Sequence, residues 1–225
     1  MKLKLLTISL ISLLSISASQ AATFSFEDVR LPSGAGDQGT VDSGVLAFVS
    51  ATAAGSPSIT ATYTLTADFD GDMVDDILTF ELTATAATGN IGTNANGNIG
   101  TGSPRIGTGE SLTYTASISS IASGSGDPLT ATFDGFDGGA FAGGSNFEDG
   151  SAFTANGELF DTPEFDLASS STSLEIEVTA NGGAAEVFIN GIDFQISVGA
   201  DPVPEPSGTA LLGLGALGLI ARRRR

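Results

Sequence analysis

The segment Asp68-Phe69-Asp70-Gly71-Asp72-Met73-Val74-Asp75-Asp76 places carboxylates at its first, third, fifth, eighth and ninth positions. Five like charges so close together repel one another unless a cation is held among them. Oxygen-only donors in a flexible loop match the cage of six to eight oxygens that Ca²⁺ takes. The alternative is a solvated acidic turn between two strands, with no ligand. Composition removes most rival chemistries: the chain has 225 residues and no His, Cys or Trp. It therefore offers no Ser-His or Cys-His nucleophile pair, no imidazole or thiolate metal site and no disulfide framework. The groups that titrate nearest neutral pH are carboxylates.

A second acidic region runs from Asp134-Gly135-Phe136-Asp137-Gly138-Gly139 through Asn146-Phe147-Glu148-Asp149-Gly150 to Glu164-Phe165-Asp166. Acids alternating with Phe could line a groove around a sugar or a cation. The simpler expectation makes Phe133, Phe136, Phe141, Phe147, Phe153, Phe160 and Phe165 core plugs beneath long loops. Glycoside hydrolysis needs one carboxylic acid with a raised pKa and a partner about 5 to 10 Å away, which linear spacing does not define. Sugar binding lacks its usual flat platforms, since the only Tyr residues are Tyr63 and Tyr114. The expectation is a protein that is not an enzyme, with a carbohydrate-binding or glycan-cleaving domain as the alternative.

Charge is distributed unevenly. Lys2, Lys4 and Arg222 to Arg225 sit at the two ends, and all the acids lie between Glu27 and Glu205. Residues 22 to 206 thus carry 26 acids against Arg30 and Arg105, a formal charge of −24. Nucleic acid is disfavoured as a partner, because almost no cation is left to neutralise phosphate. Such a surface prefers cations or basic polymers, and high ionic strength favours its compact state.

The elements that must position these acids read as strands. Residues 60–66, 78–83, 112–118, 174–178, 187–189 and 192–198 alternate apolar with polar side chains, rich in Thr, Val, Ile and Phe. No stretch between the two ends holds a helical period, and 30 glycines with many Ser, Asn and Asp supply turns. The class expected is all-β, a single antiparallel β-sandwich of jelly-roll type over residues 22–202. Asn190-Gly191 is expected to form a two-residue hairpin between the last two runs. Two Asn-Ile-Gly-Thr copies, at Asn90–Thr93 and Asn98–Thr101, fall short of a stacking repeat. Residues 88–110 are expected to form a long, flexible surface loop.

The ends read as address labels. Residues 1–21 combine a basic start, an apolar run from Leu5 to Ile16 and the small residues Ser19 and Ala21, the pattern of a secretory signal peptide cut after Ala21 by signal peptidase. At the other end Val203-Pro204-Glu205-Pro206-Ser207 precedes an apolar segment and then Arg222-Arg223-Arg224-Arg225. Residues 210–221 as a helix would reach about 18 Å, short of the roughly 30 Å hydrocarbon core, and so suit a temporary membrane hold. Arginines kept on the cytoplasmic side would leave the body of the protein outside.

This order of motif, apolar segment and arginine cluster resembles the PEP-CTERM sorting signal of Gram-negative bacteria, over residues 203–225. The resemblance implies recognition of Pro204, Glu205 and Pro206 by the membrane enzyme exosortase. It makes the apolar helix a transient inner-membrane anchor and Arg222, Arg223, Arg224 and Arg225 the cytoplasmic stop. It implies delivery to the cell surface or an exopolysaccharide matrix, where a structural or adhesive role and a matrix polysaccharide partner are expected. The family's other name, ice-binding protein C-terminal domain, prompts a look at Thr-x-Thr in residues 60–66. That pattern fits outer-face strand positions at least as well as the flat Thr array ice would require.

The acidic loop has a resemblance of its own, to the Asp-x-Asp-Gly-Asp-Gly-x-x-Asp calcium loops of thrombospondin type 3 and dockerin-like repeats. It implies Ca²⁺ ligation by Asp68, Asp70, Asp72 and Asp76. Met73 stands where those loops carry Gly, and a non-Gly residue at positive φ costs about 1 kcal/mol, so a different bend and weaker binding are expected.

Overall fold

The computed structural model describes residues 21–31, 39–93, 99–101, 105–142, 152–160, 162, 164–179 and 186–200. The signal peptide expected over residues 1–21, apart from Ala21, and the sorting segment 203–225 lie outside them. The alternation in Ser58–Ala67 becomes a strand, β4, with Ile59, Ala61, Tyr63, Leu65 and Ala67 buried. Ser58, Thr60, Thr62, Thr64 and Thr66 take the other face. The same period-two logic forms the next strand, β5 (Asp76–Ala86), which buries Leu78, Phe80, Leu82 and Ala84.

In chain order the other strands are β1 (Ala22–Val29), β2 (Thr40–Val41), β3 (Val45–Ala51), β6 (Ile91–Thr93), β7 (Ile99–Thr101) and β8 (Ile106–Gly107). After these come β9 (Ser111–Ala122), β10 (Leu129–Ala142), β11 (Ala152–Ala155), β12 (Glu158–Phe160), β13 (Glu164–Ser171), β14 (Ser173–Thr179) and β15 (Glu186–Ala200). No helix occurs among the described residues. One sheet runs β13-β10-β15-β1-β2, with β7 and β8 pairing β15 and β6 pairing β7. The other runs β12-β11-β14-β9-β5-β4-β3. Every pairing among the described residues is antiparallel, and the two sheets pack as the expected sandwich.

Aromatic rings join the sheets. Phe26 of β1 stacks on Phe194 of β15 at 4.7 Å and meets Phe80 of β5 edge-on at 5.3 Å. Phe80 in turn stacks on Tyr63 at 5.4 Å. The Tyr63 hydroxyl donates to the Arg30 carbonyl, so the buried phenol is satisfied, and burial raises its pKa. A second cluster joins Phe141, Phe153, Phe160 and Phe165. Phe136, Phe141, Phe153 and Phe165 are buried, and Phe133 and Phe160 pack partly buried against them, as expected of core plugs. Phe147 lies outside the described residues.

Two local expectations are overturned. Asn190-Gly191 makes no hairpin: β15 passes straight through it as a single strand of 15 residues. The reason is the space at Gly191, where a Cβ would stand 2.5 Å from the Asp28 Cα. Glycine marks an irregularity here, where the β1 and β10 registers both shift near Ile192, and not a reversal of the chain. Residues 88–110 are likewise no plain surface loop. They carry β6, β7 and β8, and Ile91, Ile99 and Ile106 are buried. The two Asn-Ile-Gly-Thr copies pair with each other antiparallel, Gly92 opposite Gly100. A Cβ at Gly100 would fall 2.2 Å from the Arg105 backbone, so the short unit closes only around glycine.

Candidate cation site

β4 and β5 pair from Ser58 opposite Thr85 to Ala67 opposite Asp76, so residues 68–75 form the loop closing that hairpin. Phe69 anchors the loop by turning inward against the Phe24 ring, centroids 5.2 Å apart. The flanking acids are thereby held at the end of the sandwich. Asp68 folds the loop around its own carboxylate. Its Oδ1 accepts from the Gly71 and Asp72 amides at 2.7 and 3.2 Å, and its Oδ2 accepts from Met73 at 2.9 Å. Asp72 Oδ1 accepts from Val74 at 2.7 Å. Met73 takes φ +68° and is 93% exposed, so the left-handed turn expected to need glycine is made without it.

Asp76 is different in kind. It is fully buried at the start of β5. Its Oδ2 accepts from the Phe69 amide at 2.8 Å and its Oδ1 from the Gly124 amide at 2.9 Å. It ties the β4–β5 loop to residues 123–128, which link β9 and β10. The β5–β9 pairing, Ile77 opposite Ala122, delivers that second loop to the first. A Cβ on Gly124 would lie 2.5 Å from the Asp75 carbonyl, which sets how closely the two loops approach.

The four expected ligands fall into two groups. Asp68, Asp70 and Asp76 bring carboxylate oxygens within 4.8 Å of one another. Asp72 joins Asp70 in a second such group with Asp127, which comes from the β9–β10 loop. Asp127 is separated from the motif by some fifty positions, with no spacing signal; only the sheet register reveals it. Asp70 is common to both groups, and its buried Oδ2 has no hydrogen-bond partner. Desolvation raises the Asp70 pKa, and the charges of Asp72, Asp76 and Asp68 raise it further against one amide bond that lowers it. At Asp68 desolvation also raises, but four backbone amides outweigh it and hold the carboxyl below the usual range. The loop thus surrounds Asp68 with amides and gives Asp70 only the Asp72 amide, on Oδ1 at 3.2 Å.

A second gathering of acids lies on the outer face of the first sheet. Glu27, Asp28, Glu164, Asp166, Asn190 and Asp193 border a groove of about 360 Å³ that also touches Gly139, Ala140 and Phe141. A Cβ on Gly138 would stand 3.4 Å from both Asp166 Oδ1 and Asp193 Oδ2, so glycine at that position leaves bare backbone beneath the two carboxylates. Asp193 accepts from the Asp28 amide at 2.7 Å, with Asp28 at φ +53°. Desolvation, with the nearby charges of Asp28, Asp137 and Glu27, pushes its pKa up to about 6 despite that bond.

Residues 202–225 match the PEP-CTERM protein-sorting motif, which takes in Pro204-Glu205-Pro206 and the terminal arginines. The motif implies export, exosortase processing and a place at the cell surface or in the matrix. No curated protein and no solved structure matches the chain.

Proposed function

We propose that the chain is a structural or adhesive protein of the cell surface or exopolysaccharide matrix of a Gram-negative bacterium, with Ca²⁺ stiffening its acidic end loops. The sorting motif carries the address. Residues 1–21 act as the signal peptide, and β1 begins at Ala22, just past the expected cut after Ala21. The tail then holds the protein in the inner membrane until exosortase acts. Replacing Pro204, Glu205 and Pro206 by alanine should leave an unprocessed, membrane-held protein; equal release of wild type and variant would sink this reading.

The calcium role rests on the buried, unpartnered Asp70 Oδ2 beside the oxygens of Asp68 and Asp76. The donor set is all oxygen and fits a hard cation. Asp68, Asp70, Asp72 and Asp76 would hold the ion, and Asp127 would extend the set across the two loops. Bound Ca²⁺ would supply charge neutralisation and cross-link the loops. Thermal unfolding in millimolar Ca²⁺ and in EDTA, at constant ionic strength, tests it; a ligand at 100 times its Kd stabilises by about 2.7 kcal/mol. Asp70→Asn should abolish the shift. Equal unfolding in Ca²⁺ and EDTA would reduce the loop to an acidic turn.

The second reading, a carbohydrate-binding or glycan-cleaving surface domain, is favoured by one observation, the Asp166–Asp193 pair in its groove. An acid titrating at about 6 beside another carboxylate is the pattern glycoside hydrolysis uses. Reducing-sugar release from a glycan panel, lost in Asp193→Asn, would support it; no release and no glycan binding would remove it.

A further inference from the structure

We propose that β3 is the pairing edge for a second copy of this chain, the two β3 strands joining antiparallel across a two-fold axis. β3 ends its sheet, and among the described residues no strand pairs with its outer side. That side presents a row of backbone donors and acceptors, the standard template for strand addition. Sheet edges are usually guarded by charge or brevity. Here β13 carries Glu164 and Asp166, β12 has three residues with Glu158 among them, and β2 has only two residues. β3 has seven residues and no charge, and its one guard is the bulge between Phe48 and Ser50.

The occupant follows from electrostatics. A second copy brings another −24 over its residues 22–206, and surfaces bearing acids repel it. Residues 43–67, which make up β3, β4 and the turn between them, contain no charged residue at all. Two copies can therefore meet here with little local repulsion. The edge is also apolar on both faces. Val45 is 66% exposed on the outer side, Val49 is 56% exposed at the β3 bulge, and Phe48 stays 37% exposed although its ring lies 5.9 Å from Tyr63. Antiparallel pairing would cover Phe48 with its own counterpart and continue the outer rows, such as Ala47-Thr64-Thr79-Ser120, into the second copy.

The chain has no cysteine, so one introduced thiol reports a single position. Val45→Cys, Ala47→Cys and Val49→Cys would each be made in the full chain, solubilised in mild detergent and oxidised with copper phenanthroline. Thr113→Cys in mid-sheet and Leu159→Cys at the opposite edge serve as controls. At least one β3 position should give a disulfide-linked dimer on a non-reducing gel, about fivefold or more above both controls. The linked fraction should rise with NaCl as repulsion is screened. Phe48→Lys added to the linking variant should remove the dimer. If circular dichroism finds that variant unfolded, Val45→Lys replaces it where Val45 is not the thiol position, and Ala47→Lys where it is. No linkage at any β3 position, or equal linkage at the controls as tail-driven association would give, overturns the proposal.

Discussion

Asp76→Ala tests how the acidic loop is held. The carboxylate is fully buried and is the acceptor for two backbone amides, Phe69 at 2.8 Å and Gly124 at 2.9 Å, one from each loop. Truncation leaves both N–H groups without that acceptor. The Phe69 amide is buried and losing its acceptor costs about 1–3 kcal/mol, whereas Gly124 is exposed and its amide can turn to water, so the loss should be about 1–3 kcal/mol. That is a sizeable part of the 5–15 kcal/mol typical of a folded domain. With a urea dependence near 2 kcal/mol per molar, the midpoint should fall by roughly 1 M. Asp76→Asn keeps one acceptor oxygen but turns an NH₂ toward the other amide, and should lose about half as much. The assay is equilibrium urea unfolding of residues 22–202 in EDTA, so that metal binding adds nothing. Asp68→Ala, on the exposed side of the same loop, is the comparison. A loss below ~1 kcal/mol for Asp76→Ala would refute the reasoning.

Gly191→Ala puts a Cβ 2.5 Å from the Asp28 Cα and should cost about 1–3 kcal/mol in the same assay; an unchanged midpoint would mean β1 yields freely. Met73→Gly should stabilise by about 0.5–1 kcal/mol, because relief at φ +68° exceeds the added chain entropy and a side chain 93% exposed gives up little packing; destabilisation would contradict that balance. Asp193 has a folded pKa of about 6, above its usual value of 3.8, so the folded state holds the proton more tightly. Its contribution to stability is fully present below pH ~4 and is lost as pH rises to about 6. Asp193→Asn should flatten that part of the stability–pH curve and be the more stable protein at pH 7; parallel curves for the two would refute the assignment.

Local pattern alone was enough for β4, β5, β9 and β14, because a strand with one face in the core writes its burial into alternate residues. β10 carried less signal: it alternates acids and glycines in Asp134-Gly135-Phe136-Asp137-Gly138-Gly139, which reads as loop until β13 and β15 flank it. β3 was hidden for the opposite reason, being apolar on both faces and buried on neither. Asn190-Gly191 carried a true turn signal that tertiary pairing overrode. In the acidic loop the spacing located the carboxylates, and the sheet then gave them unequal roles.

The sequence by itself determined the all-β class, the sorting tail, the strongly acidic body and the place of the acidic loop. Each of these is local composition or short-range periodicity. Tertiary structure alone decided that Asp76 is a buried acceptor, that Asp127 joins Asp70 and Asp72, and that Asp28 donates its amide to Asp193 across 165 positions. Those relations depend on which strands become neighbours and in what register. A one-residue slip would turn every side chain to the other face, and no stretch of a single strand encodes its partner.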